Sequence, residues 1–280
     1  MRYPSDPMPM PETGPAPQRT SGEGRLSLKK VEDRTRIGTL FQEGAAKLRF
    51  PQAPGNHLEA VMINTAGGLT GGDRMRWHFA LGADCRASFT TQACEKIYKA
   101  EEGSTATVDT TIEVAAGGAM AWLPQETILF ERSALSRRLT VDLAPTATAL
   151  IVEAVVFGRK AMGEDIGKAS FRDCWRIRRG GRLEHAENFS VGPDAGAMLA
   201  RPALLGDRRV FATVLLVAGD CERHLDGARA IVGREGGVSA WSGKLLARLV
   251  DEDAYSLRKR LIPLIGLLNK KAELPKVWST

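Results

Sequence analysis

From Leu26 to about Val217 the polarity of the chain repeats every second residue. Leu135, Arg137, Leu139, Val141 and Leu143 alternate with Ser136, Arg138, Thr140 and Asp142. Val108, Thr110, Ile112 and Val114 alternate with Thr107, Asp109, Thr111 and Glu113. Successive side chains of a strand point to opposite faces, so these runs predict strands with one wet face. Phe171, Asp173, Trp175 and Ile177 lead to Arg179-Gly180-Gly181-Arg182, and Leu183, His185, Glu187 and Phe189 follow at the same period. A Gly-Gly pair between two alternating runs predicts a hairpin. Ala149–Phe157 and Val210–Val217 are more continuously apolar, as strands covered on both faces would be.

The period changes after Asp220. Glu222–Val232 and Lys244–Asn269 carry helical spacing, with apolar stripes at Leu245, Leu249, Leu257, Leu261, Ile265 and Leu268. Pro263 should start a new turn or bend the last helix. Strands followed by helices predict a mainly β, antiparallel body over about 25–219 with a small helical part over about 220–280. Together these form one folded unit with no fixed internal repeat. Six of the first 17 residues are proline, so residues 1–24 are expected to form a disordered tail.

Composition narrows the function classes. The chain has 280 residues, 43% of them hydrophobic and 26% charged, which is ordinary for a soluble protein. No apolar run approaches the ~20 residues of a membrane helix, and no apolar core follows Arg2 as a secretory signal would require. The four cysteines, Cys85, Cys94, Cys174 and Cys221, are scattered, so no disulfide framework is expected and a cytoplasmic location follows. The net charge of +6 is modest. Five arginines within Arg172–Arg182 and the late Lys270, Lys271 and Lys276 read as a solvated hairpin and a basic tail, or as a surface for an acidic partner.

Familiar catalytic patterns are missing. Residues 64–73 read Asn-Thr-Ala-Gly-Gly-Leu-Thr-Gly-Gly-Asp, but no lysine follows Gly71 or Gly72, so this is no phosphate loop. His57, His78, His185 and His224 form no spaced pair, and Cys-x-x-Cys and Gly-x-Ser-x-Gly are absent. The glycines instead indicate a tight turn packed closely on another strand.

Four segments in order make the chain recognisable. They are Asn64–Asp73, Thr90–Tyr98 with Cys94-Glu95 inside it, Trp122-Leu123-Pro124-Gln125-Glu126-Thr127-Ile128, and Val156–Arg159 running into Ala161–Glu164. In order and spacing they resemble the urease accessory protein UreD family, called UreH in some systems, over about 25–278. The resemblance implies stacked β-sheets and a non-enzymatic scaffold. Such a scaffold binds apo-urease and UreF and, through UreF, the GTPase UreG. It helps install two nickel ions at a carbamylated lysine of urease, and an internal nickel channel has been proposed for the family. Nickel is then transferred cargo; no tightly bound cofactor, tight metal site, nucleic acid or membrane partner is expected.

Asn64, Gly67, Gly68, Gly71, Gly72, Trp122 and Pro124 are read as the structural motif residues. Each matched segment carries a carboxylate: Asp73, Glu95, Glu126 and Glu164. They either bond backbone amides or an arginine such as Arg159, or border a polar passage for nickel, where weak oxygen ligands suit release as well as capture. Arg258, Lys259 and Lys270 are candidates for binding an accessory partner. Two other classes stay open on the residues alone: an all-β enzyme with a dispersed hydrolase-type site, and a nucleic-acid-binding β protein using Arg172–Arg182.

Overall fold

The alternating runs become strands that wind between two sheets. A computed structural model describes residues 18–52, 55–158, 163, 165–206, 208–269 and 274–278. Seventeen strands and three α-helices occur among them. The first sheet holds β1 (Ser21–Val31), β2 (Arg34–Gly44), β5 (Arg74–Leu81), β8 (Ala106–Val114), β11 (Ala134–Leu143), β13 (Ser170–Arg179) and β14 (Arg182–Val191), in the order β14-β13-β11-β8-β5-β1-β2. The second runs β16-β17-β15-β12-β9-β6-β4-β3. Its members are β3 (Ala46–Arg49), β4 (Leu58–Asn64), β6 (Arg86–Thr91), β9 (Ala119–Leu123), β12 (Thr148–Phe157), β15 (Val210–Val217), β16 (Gly236–Trp241) and β17 (Lys244–Asp251). Two short strands, β7 (Glu95–Ile97) and β10 (Thr127–Leu129), pair with each other, and β10 also pairs with β12.

The mainly β class holds, but the expected antiparallel pairing does not. β1, β5, β8, β11 and β13 pair in parallel, as do β4, β6, β9 and β12. From β4 to β13 the long strands alternate between the sheets, so each neighbour in a sheet lies one coil later and runs the same way. Antiparallel pairs include consecutive strands that stay in one sheet, as at β1–β2, β3–β4 and the Gly180-Gly181 hairpin β13–β14, and also β12–β15 and β15–β17. The strands beginning at Leu58, Arg86, Ala119 and Thr148 lie roughly 30 residues apart, a coil with no matching repeat in sequence.

Two cores result. Between the sheets lie Leu26, Phe79, Phe89, Leu139, Val141 and Trp175, with the Phe79 and Phe89 rings stacked at 4.3 Å. The outer face of the second sheet buries Val152, Val214, Leu216 and Leu245 against α2 (Leu225–Val232) and α3 (Ala254–Leu268). β12 and β15 are therefore covered on both faces, which accounts for their continuous apolar character. The remaining helix, α1 (Ala195–Leu199), is a single short turn beside β14.

The boundary of the helical part needs correcting. Lys244–Asp251 is a strand, and β16–β17 is a hairpin inside 220–280. Leu245 and Leu249, four apart, share a face in a helix and in a strand alike; Ala247 between them, equally buried, marks the strand. The helix begins only at Ala254, where the Asp253 side chain accepts a bond from the Ser256 amide at 2.8 Å. It continues through Pro263, whose ring is exposed. β1 begins at Ser21, ahead of the expected start at 25; residues 1–17 lie outside the described residues.

The last described turn, Lys276–Trp278, returns to the second sheet. Trp278 is buried, and its indole donates to the Leu123 carbonyl at 3.0 Å. Gln125 Nε2 donates to the Val277 carbonyl at 2.9 Å. Truncating a buried tryptophan removes both apolar contact and this bond, so Trp278→Ala should destabilise the fold by about 3–5 kcal/mol. Denaturant unfolding measures it, and an unchanged midpoint would show that this turn adds nothing.

Candidate functional site

The glycine segment links β4 to β5 and folds back onto β7. Leu69 N donates to the Lys96 carbonyl at 2.8 Å, and Tyr98 N donates to the Leu69 carbonyl at 2.7 Å. Gly68 has φ of +152°, and a Cβ there would lie 2.4 Å from the Tyr98 ring and 2.7 Å from the Lys96 carbonyl oxygen. A Cβ on Gly71 would lie 1.9 Å from Ser104 Oγ. Both positions therefore exclude a side chain by close approach, and Gly68 by its backbone angle as well. Gly67 and Gly72 also have positive φ. Asn64 ties the turn together: its Oδ1 accepts from Ala66 N at 3.0 Å, and its Nδ2 donates to the Gly68 carbonyl at 3.2 Å and to Glu95 Oε1 at 3.1 Å.

The three described carboxylates have different surroundings. Asp73 is buried and accepts from the amides of Thr20 at 2.7 Å and Thr70 at 2.8 Å, pinning the turn to the residue before β1. Glu126, 1% exposed, is held two-pronged by Arg258, with Nε and Nη2 each at 2.7 Å. Burial raises the Glu126 pKa, but Arg258 outweighs this and holds it below the usual carboxylate range. Cys94 Sγ donates to Glu126 at 3.4 Å, and burial, followed by the Glu126 charge, pushes this thiol up to about 11. Glu95 accepts from Asn64 and faces inward, and burial raises it to about 7. Glu164 and Arg159 lie outside the described residues.

Of the partner-binding candidates, Arg258 is committed internally. Besides Glu126 it donates to Gln125 and lies over the Trp278 ring at 5.4 Å. Its charge thus closes the seam between α3 and the loop after β9 rather than facing a partner. Lys259 is exposed and lies 4.3 Å over the ring of Tyr255, itself exposed. Lys270 lies outside the described residues. Of the arginines of Arg172–Arg182, Arg172, Arg176 and Arg178 share the outer face of β13. Arg176 bonds the Glu187 carbonyl and Asn188, and Arg178 faces Asp142 at 3.6 Å.

The sequence reading missed a charged cluster between the sheets. Arg137 on β11 is buried and donates to both oxygens of Asp173, at 3.1 and 2.7 Å. It also donates to Glu153 on β12 at 2.5 Å and to Thr127 on β10 at 3.1 Å. Trp122 donates to Glu153 at 2.8 Å, and Trp175 to Asp173 at 3.2 Å. The register places Arg137 directly opposite Asp173. Burial raises the Glu153 pKa; the opposite charge of Arg137 opposes this, and the like charge of Asp173 adds to it. The signal was parity: Arg137 lies between Leu135 and Leu139, and Asp173 between Phe171 and Trp175, on the apolar side of their strands. Glu153 interrupts the apolar run of β12 in the same way.

These groups enclose a small cavity. About 60 Å³ of water-accessible space lies between the sheets, lined by Glu95, Thr127, Arg137 and Glu153, with Trp122 and Pro124 on its wall. That is room for a few waters or an ion with its ligands. Among the described residues no group of three or more His, Cys, Asp or Glu side chains is gathered as a metal site, and no helix is long and apolar enough to cross a membrane.

Comparison with known proteins fits this frame. The family model described as "UreD urease accessory protein" matches residues 20–279. The chain belongs to the UreD family. It is 54% identical over 266 residues to a urease accessory protein UreD of Brucella suis, covering 94% of this chain and 95% of the relative. Urease accessory protein UreD of Mesorhizobium japonicum is 52% identical over 269 residues, covering 95% and 96%. Membership gives the chain a role in urease maturation, and an accessory name points to a non-catalytic one.

Two outcomes test this geometry. Gly68→Val and Gly71→Val should each lower thermal stability clearly, with Gly68→Val adding backbone strain to the clash. Melting temperatures equal to wild type would make the segment an ordinary linker. Glu95 has a folded pKa above its ordinary 4.5. The folded state then binds the extra proton, so this contribution is fully present below pH 4.5 and is lost as pH rises through about 7. Relative to Glu95→Gln, wild type should lose stability over that window, on the order of 3 kcal/mol. Parallel pH profiles for the two proteins would show that Glu95 is not desolvated.

Proposed function

We propose that this chain is a cytoplasmic scaffold on which apo-urease meets UreF and, through UreF, UreG, and that it supports nickel insertion into the urease active site without turnover of its own. The observation that carries this reading is the UreD family match across 20–279. The same segment holds the glycine turn and the inward carboxylate Glu95 in contact, through Asn64. Nickel is cargo here, so a route should offer oxygen ligands that bind weakly and release.

The surroundings of the carboxylates rank them for that role. Asp73 is saturated by backbone amides and Glu126 by Arg258, so both are read as supports of the fold. Glu95 is the member that lines the inter-sheet cavity, and Glu153 joins it there. We read Glu95 as the oxygen group bordering a passage; Glu153 and Thr127 line the same space but are held by Arg137. For partner binding, the exposed Tyr255–Lys259 pair replaces Arg258 as the favoured contact on α3.

Two measurements on urease test the proposal together. Deleting the gene should leave urease protein abundant but nearly inactive and nickel-poor. Fully loaded, active urease in that strain at low nickel would sink the scaffold reading. Glu95→Gln should lower the nickel content of urease at limiting nickel while a pull-down still recovers the accessory complex. Normal nickel content with an intact complex would end the passage role for Glu95 and leave the scaffold reading standing.

A further inference from the structure

A second cavity lies on the opposite face of the second sheet, where α3 ends and stops covering the strands. It has about 100 Å³ of water-accessible space. Its polar lining includes His57, Arg86, Asp220, Arg223, His224 and Asn269. Ala87, Met120 and Leu216 make an apolar floor. None of these polar groups belongs to the inter-sheet cluster around Arg137. We infer that this cavity is a binding site for a small oxyanion of the carboxylate class.

The charge balance argues for an anion. Arg223 is offset by Asp220, with Nη2 2.7 Å from the carboxylate, and its Nε donates to His224 Nε2 at 3.2 Å. Accepting that bond requires the neutral form of His224 at Nε2. His57 is also neutral, since burial and then the charge of Arg86 depress its pKa to about 4. Arg86 is half-buried, and its guanidinium makes no ion pair or hydrogen bond among the described residues. One cation is therefore left uncompensated. The C-terminal end of α3 contributes an opposing partial charge of about half a unit, too little to cancel it.

Hydrogen bonding points the same way. Asn269 Nδ2 is shielded from solvent and has no partner. An unpaired buried donor is costly and calls for an acceptor in the space it lines. His57 Nε2 is already engaged with Ser88 Oγ at 3.0 Å. Between them, the Arg86 fork and the Asn269 amide offer donors without acceptors. A planar carboxylate satisfies both, and the two-pronged geometry of guanidinium favours it over a halide. The carboxylate could come from a free small molecule or from an acidic side chain of a protein partner. This inference is independent of any nickel passage at Glu95.

The test follows the histidine resonances of the full-length chain by NMR as sodium acetate is added, with sodium chloride at equal ionic strength as the control. His57→Gln assigns the His57 signal. Acetate beside His57 favours its charged form, so its pKa should rise from about 4 and its resonance should shift saturably. Arg86→Gln should weaken acetate binding by about tenfold or more, a loss of about 1.4 kcal/mol. Asn269→Asp, which places a carboxylate where the donor was, should do the same while melting like wild type, so the test survives if Arg86→Gln folds poorly.

Capture of the urease accessory complex by the same variants separates the two sources. Saturable acetate binding with normal capture means a free anion. Capture lost in Arg86→Gln and Asn269→Asp, with normal melting and rescue by Arg86→Lys, means a partner's carboxylate. A His57 shift that is non-saturable, or unchanged in both variants, together with normal capture, overturns the inference.

Discussion

The two sheets are joined at their centre by one guanidinium. Arg137 stands on the first sheet and reaches Glu153 and Thr127 on the second, while Asp173 holds its other edge. Two tryptophans complete the set by donating to the carboxylates. Charges taken this far from water are tolerated only when paired and hydrogen-bonded on most sides. The cluster therefore links β11, β13, β10 and β12 by directional bonds. It also borders a polar opening between the two sheets. The cavity beside this cluster is central to the functional reading because it is lined by Glu95, Thr127, Arg137 and Glu153.

Winding explains how residues distant in sequence come to surround that opening. Each coil contributes one strand to each sheet, so neighbouring coils deliver Glu95, Thr127, Arg137, Glu153 and Asp173 to one level of the stack. The glycine turn belongs to this layout. It lies so close to β7 that Asn64 touches both its own turn and Glu95. Its glycines thus serve the placement of a carboxylate rather than the grip of a phosphate.

A second, separate seam closes the outer face. Glu126, Gln125, Arg258 and Trp278 bring together the loop after β9, α3 and the last turn of the chain. Arg258 and Glu126 are 132 residues apart. At the end of α3, Arg86 of β6 and Arg223 of the turn after β15 line a cavity over an apolar floor. The molecule thus has one polar space inside the sandwich and another at the margin of its helical cover.

Strand content, the hairpin at Gly180-Gly181 and the doubly covered β12 and β15 were legible in the sequence, because side-chain parity and hydrophobic continuity are local properties. The family was legible too, since its four segments lie in order along the chain. Parallel pairing was not, because period two is the same whichever way a neighbouring strand runs; direction depends on which sheet the next strand joins. Nor was the strand at Lys244–Asp251, where residues four apart share a face in both helix and strand. The carboxylates of the recognised segments could be named from sequence, but not their roles. Asp73 met backbone amides, Glu126 met an arginine from the far end of the chain, and among the described members only Glu95 met the cavity. Burial and pairing of a charge are set by what the fold brings opposite it, and that is decided only in three dimensions.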